Sequence, residues 1–131
     1  MSGNKSGKFS FRQRMLSFKY AFNGIFLMLK NEHNAWIHAF AAVFAVSAGF
    51  YFGITKQEWI AVVLTIAMVF AAEAFNSAIE VLVDKISPGY DETAGKIKDL
   101  AAGAVLITAI AAAITGLIVF VPHLIKLFKI A

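Results

Sequence analysis

The chain has 131 residues, of which 60% are hydrophobic, and a mean hydropathy of +0.72; soluble domains sit near 45–50% apolar, so part of this surface must face a solvent other than water. Cysteine is absent, which excludes disulfides, thiolate metal sites and thiol nucleophiles. The net charge of +4 does not point to nucleic acid, because the basic residues flank apolar runs, where they suit a membrane surface.

Residues 1–8 are polar and Gly-containing and are expected to be a disordered tail without a cleavable signal pattern. A single membrane domain is expected over 9–131. Residues 9–30 read as an amphipathic helix: Phe11, Met15, Phe18, Phe22, Ile25, Phe26 and Leu29 recur at spacings of three and four, while Arg12, Lys19, Asn23 and Lys30 form an opposite stripe. An aromatic face with a basic stripe suits the plane of a bilayer surface.

Three transmembrane helices are expected, at about 33–54, 58–86 and 93–121. Ala35–Ile54 carries no formal charge and is interrupted only by His38; its rise is about 30 Å, the thickness of a hydrocarbon core. After the polar turn Thr55-Lys56-Gln57-Glu58, Trp59 is an anchor type at the start of the second span. That span stays apolar through Ala72, then acquires Glu73, Asn76, Ser77, Glu80 and Asp84 before Pro88-Gly89 ends it. Asp91 or Thr93 can cap the third helix, which is uncharged from Leu100 to Val121 and rich in small residues that allow close helix approach. Nine of the twelve Lys and Arg residues precede the first span or lie between the second and third, which places the N-terminus in the cytoplasm and the chain, as a multi-pass protein, in the inner (plasma) membrane.

On an ideal helix, Glu73, Asn76, Ser77, Glu80 and Asp84 fall within a stripe of about 100°. Counted from Trp59, Glu73 lies about 21 Å inward and Glu80 about 31 Å, so Glu73 sits just inside the cytoplasmic edge and Glu80 at the water boundary. Insertion scales charge about 2.5–3.5 kcal/mol for an acidic group at a helix centre, so such a residue is a functional candidate. A carboxylate just inside the border can accept a proton from a lipid hydroxyl, and one further out can hold a hydrated metal. Glu32 and Lys98-Asp99 belong to the same leaflet, and carboxylates with a lysine make a Mg²⁺–nucleotide site plausible on chemical grounds. No Walker A motif or Gly-rich kinase loop is present.

Competing structural readings exist. Glu73 and Asn76 can be a hydrogen-bonded pair between helices, and Asp84 with Lys85 or Lys98 an interfacial ion pair. Glu58, Lys126 and Lys129 read as solvated. His33, His38 and His123 form no recognisable metal set and read as satisfied or interfacial. A rival class is a small oligomeric transporter or assembly protein, with the carboxylates as proton relay or structural glue; their restriction to one leaflet argues against it.

The string Glu73-Ala-Phe-Asn76-Ser77-Ala78-Ile79-Glu80-Val-Leu-Val83-Asp84 resembles the signature of the small prokaryotic diacylglycerol kinase family, which includes undecaprenol kinases. Tyr90-Asp91-Glu92 with Gly95-Lys96-Ile97-Lys98-Asp99 is similar to its second block, and Lys19-Tyr20-Ala21-Phe22-Asn23-Gly24 with Asn31-Glu32 to its N-terminal segment. The resemblance runs from about Phe11 to Pro122. It implies a homotrimer of three-span subunits with a surface helix, ATP as phosphoryl donor, a lipid alcohol as acceptor, and active sites shared between subunits. By the same resemblance Glu73 is the general base, Glu32 and Glu80 bind Mg²⁺, and Asn76, Glu80, Lys98 and Asp99 contact the nucleotide, with Tyr20, Tyr90 and Asp91 near it. The sequence departs from the pattern at Gln13, where an Arg flanked here by Arg12 and Arg14 is expected, and at Asp91, where a His is common. His38 is similar to the undecaprenol branch, whereas the diacylglycerol branch often has an acidic residue there.

Overall fold

The computed structural model describes residues 7–130 and is all helical. Most of the expected tail lies outside the described residues. Four helices follow in order: α1 (Phe11–Asn31), α2 (His33–Phe52), α3 (Lys56–Ile86) and α4 (Glu92–Ile130). The last three are long and apolar enough to cross a membrane.

Each junction has a local cause. Ser10 caps α1, its hydroxyl accepting from the Gln13 N–H. A single extended residue, Glu32 (φ −104°, ψ 114°), separates α1 from α2, so the carboxylate of Glu32 is set at the start of α2. Gly53 ends α2 in the left-handed conformation (φ 60°), and the Ile54 N–H returns to the Gly49 carbonyl at 3.2 Å. Only glycine adopts that backbone without strain. Thr55 and Glu58 then form a reciprocal capping box that opens α3.

The helices are packed unevenly. α3 lies most extensively against α4, α1 leans on α2 and α3, and α2 meets α4 only briefly. The gap leaves a cavity of about 300 Å³, lined by His38, Ala45, Thr65, Val69, Ala112 and Gly116 among others. At the end nearest the α2–α3 turn, Ile54, Val62 and Val119 form a buried core with Phe52, Trp59 and Phe120 against it. Phe40, Phe44, Met68, Leu117 and Ile118 point outward instead. An apolar exterior of this kind is what a hydrocarbon solvent requires. On α1 the aromatic residues Phe11, Phe18, Phe22 and Phe26 are likewise uncovered by the rest of the chain.

Two features differ from the sequence expectation. α4 continues unbroken through Pro122 to Ile130, although Val121 closes the uncharged run. Proline removes one backbone donor, but its fixed φ is helical and membrane helices tolerate the lost bond. Glu58 is not simply solvated: it is half-buried, with His123 Nε2 at 3.3 Å from Oε1. The imidazole stacks on Phe52, with ring centroids 5.6 Å apart, so one contact ties α4 to the α2–α3 turn.

Gly49 tests this packed end. A Cβ there would stand 2.7 Å from Trp59 Cη2 and 3.1 Å from Ile54 Cδ1, whereas one at Gly24 would meet open space. Gly49→Ala should therefore be less stable than Gly24→Ala by about 1–3 kcal/mol, read as thermal unfolding in lipid bicelles. Equal midpoints would show that Trp59 does not pack there.

Candidate active site

The far end of α3 carries the polar stripe. Glu73 is 0% exposed and is the largest fully buried side chain among the described residues. Asn76 is buried too, and Ser77 and Glu80 are half-buried. From α2, His38 Nε2 approaches Glu73 Oε1 to 3.1 Å, within ion-pair range. That contact apart, both Glu73 oxygens are without a hydrogen-bond partner among the described residues, as are Asn76 Oδ1 and Ser77 Oγ. Buried polar atoms are nearly always paired. Buried oxygens without a hydrogen bond on three side chains of one stripe make this stretch a candidate site.

Two carboxylates lie near Glu73, and a lysine of α4 meets the outer end of the stripe. Glu32 and Glu80 lie close enough for their charges to act on Glu73. Asn76 Nδ2 donates to Glu80 Oε1 at 3.4 Å, one turn along the same face. From α4, the Lys98 ammonium binds Asp84 Oδ1 and also lies within electrostatic range of Glu80. Glu32 makes no side-chain cap bond at the start of α2, which leaves its carboxylate available.

A groove of about 680 Å³ between α1 and α3 adjoins the stripe and is lined by Gly24, Asn31, Glu32, Ala74, Ser77 and Lys85, among others. An apolar groove of about 510 Å³ shares Ile25, Met28 and Ala74 with it and continues along Ala39, Val43 and Phe70. Together they lead from a hydrocarbon-like surface to Ser77 and Glu32.

Within the chain, the remaining residues singled out by sequence stand apart from this cluster. Tyr20 is exposed on α1, Tyr90 is fully exposed in the α3–α4 connection, and Asp99 is exposed beside Lys98. Asp91 caps α4, accepting from the Ala94 N–H at 2.7 Å. Among the described residues, no three His, Asp or Glu side chains gather as an all-protein metal cage. A Mg²⁺ ion takes one or two carboxylates and completes its shell with waters and phosphate oxygens. Glu80, steadied by Asn76, and the uncapped Glu32 have the donor chemistry for it.

His38 is the contact that sequence reasoning missed. Its signal was depth: it lies six residues beyond Glu32, about 9 Å further along α2, which matches the rise of about 10 Å between Glu80 and Glu73 on α3.

A fully buried carboxylate with His38, Glu32 and Glu80 near it, close to grooves with apolar walls, makes this stretch the candidate active site. Comparison with known proteins gives the family. The sequence profile described as "Prokaryotic diacylglycerol kinase" matches residues 19–120. The chain is 38% identical over 108 residues to the undecaprenol kinase of Bacillus subtilis, covering 82% of this chain and 88% of that one. It is 35% identical over 114 residues to a diacylglycerol kinase of Synechocystis, covering 86% of this chain and 65% of that longer relative. With the diacylglycerol kinase of Escherichia coli the identity is 29% over 123 residues, covering 94% and 98%. The chain belongs to the prokaryotic diacylglycerol kinase family. It is thereby a membrane phosphotransferase of the lipid-kinase class.

The burial of Glu73 should cost stability in the native chain. Glu73→Leu is expected to unfold at a higher temperature than the native protein in bicelles. A clearly lower midpoint would show that the carboxylate braces the bundle.

Proposed function

We propose that the protein transfers the γ-phosphoryl group of ATP, with Mg²⁺, to the primary hydroxyl of a membrane lipid alcohol at the cytoplasmic border. The observation that carries this reading is the fully buried carboxylate of Glu73, with His38 as its near neighbour, beside a groove with an apolar wall. α1 lies in the inner interface with its aromatic face in lipid, the N-terminus is cytoplasmic, and three copies assemble.

Chemistry follows from position. The acceptor slides along the apolar groove until its hydroxyl reaches Glu73. Glu73 takes the hydroxyl proton as the oxygen attacks the γ-phosphorus in line. The bond to the β–γ bridging oxygen breaks, and ADP leaves with that oxygen. Glu32 and Glu80 would hold Mg²⁺, which when bound neutralises charge on the phosphates. Lys98 supplies a fixed positive charge at the same border, and Asn76 keeps Glu80 in place. Asp99, Tyr20, Tyr90 and Asp91 contact the nucleotide from the rim, where a neighbouring subunit completes the pocket. Undecaprenol is the favoured acceptor over diacylglycerol, supported by His38 and by the similarity to the undecaprenol kinase.

Two expectations follow. Glu73→Gln should lower transfer of labelled phosphate by about 10²–10⁴-fold, the range for a general base, while ATP binding is kept. Turnover near that of the native chain would remove Glu73 from the role. Offered undecaprenol and diacylglycerol side by side in the same bicelles, the native chain should phosphorylate undecaprenol with the higher kcat/KM. The reverse preference would assign it to the diacylglycerol branch.

A further inference from the structure

The α3 stripe ends in a feature that proton abstraction does not use. Asn76, Glu80 and Asp84 succeed one another at four-residue intervals, so their side chains stack on one face about 6 Å apart along the axis. Lys98 reaches this ladder from α4. Both Glu80 and Asp84 attract it, yet its hydrogen bond goes to Asp84 alone, while Glu80 is held by the Asn76 amide. The two anions are thus given different partners: a neutral donor for Glu80 and the cation for Asp84.

We propose that Asp84 is a positioning residue that keeps the Lys98 ammonium off Glu80, so that the metal and the lysine each have their own carboxylate. This inference rests on the proposed role of Glu80 as a Mg²⁺ ligand. Without Asp84, Glu80 is the other α3 carboxylate whose charge acts on Lys98, and an ammonium seated there would compete with a divalent cation for the same oxygens. With Asp84 present, one of the three ammonium N–H donors is engaged and two remain for phosphate oxygens. The ion pair is too exposed to serve mainly as a brace, since exposed pairs add little to stability. Lys85 follows Asp84 directly but is exposed and makes no ion pair among the described residues.

The test uses the full chain in lipid bicelles without acceptor, with a non-hydrolysable ATP analogue and Mn²⁺ binding followed by electron paramagnetic resonance. Asp84→Asn is expected to weaken Mn²⁺ binding about 5–10-fold, a difference on the scale of one charged contact, and Asp84→Glu to restore most of it. In turnover assays, the activity that Asp84→Asn loses at low Mg²⁺ should return as Mg²⁺ is raised. Unfolding midpoints should stay level, which a bracing role would not allow. Unchanged Mn²⁺ affinity in Asp84→Asn, alongside a loss in Glu80→Gln, overturns this inference alone. Unchanged affinity in Glu80→Gln overturns the metal assignment beneath it, and this inference with it.

Discussion

Sealing an ionisable carboxylate among apolar helices is the placement on which the rest of this structure depends. An acidic group near the centre of a spanning helix costs about 2.5–3.5 kcal/mol on insertion scales, and Glu73 recovers little of that within the chain. Its near partner within the chain is an imidazole. The surrounding architecture can be read as what makes this tolerable. Glu73 lies past the middle of α3, with the His38 imidazole of α2 beside it. The proposed role of Glu73 as general base draws on the same burial.

The packed core and the candidate site occupy opposite ends of the bundle. At the α2–α3 turn, the Gly53 cap, the Thr55–Glu58 capping box, the Trp59 ring over Gly49 and the His123–Glu58 contact lock three helices together. Toward the site, the helices separate into grooves, and the polar groups lack partners. A rigid end that supports a less satisfied one is the usual division where active-site groups are costly to the fold. It also explains why the cavity between α2 and α4 can persist, since their register is set elsewhere.

Much of this was legible in the residues. The apolar runs announce three long helices because hydrocarbon solvent leaves no milder signature, and the spacing of Glu73, Asn76, Glu80 and Asp84 alone puts them on one face. Partnerships across helices were not legible, because nothing in local periodicity encodes which turn of α2 meets which turn of α3. His38 was read as a bystander although its depth matched that of Glu73, and Glu58 as solvated although His123 lies 65 positions away in the chain. Pro122 misled for a different reason: proline ends most helices, yet its fixed φ is helical and α4 runs on through it. Tyr20, Tyr90 and Asp99 are exposed, and nothing in the packing of one chain singles them out.

The central claim is that Glu73 lies in oil a short way inside the border at which Glu80 and Asp84 meet water. Because the native chain has no cysteine, single nitroxide labels can be placed cleanly at Ala74, Val81 and Asp84. Relaxation by oxygen and by a water-soluble nickel chelate then gives the depth of each in a bilayer. The account predicts an apolar environment at position 74, roughly 5–10 Å below the phosphate level and hence one to two helical turns deep, grading to full chelate access at position 84. Equal chelate access at positions 74 and 84, or a depth at the bilayer midplane for position 74, would contradict it.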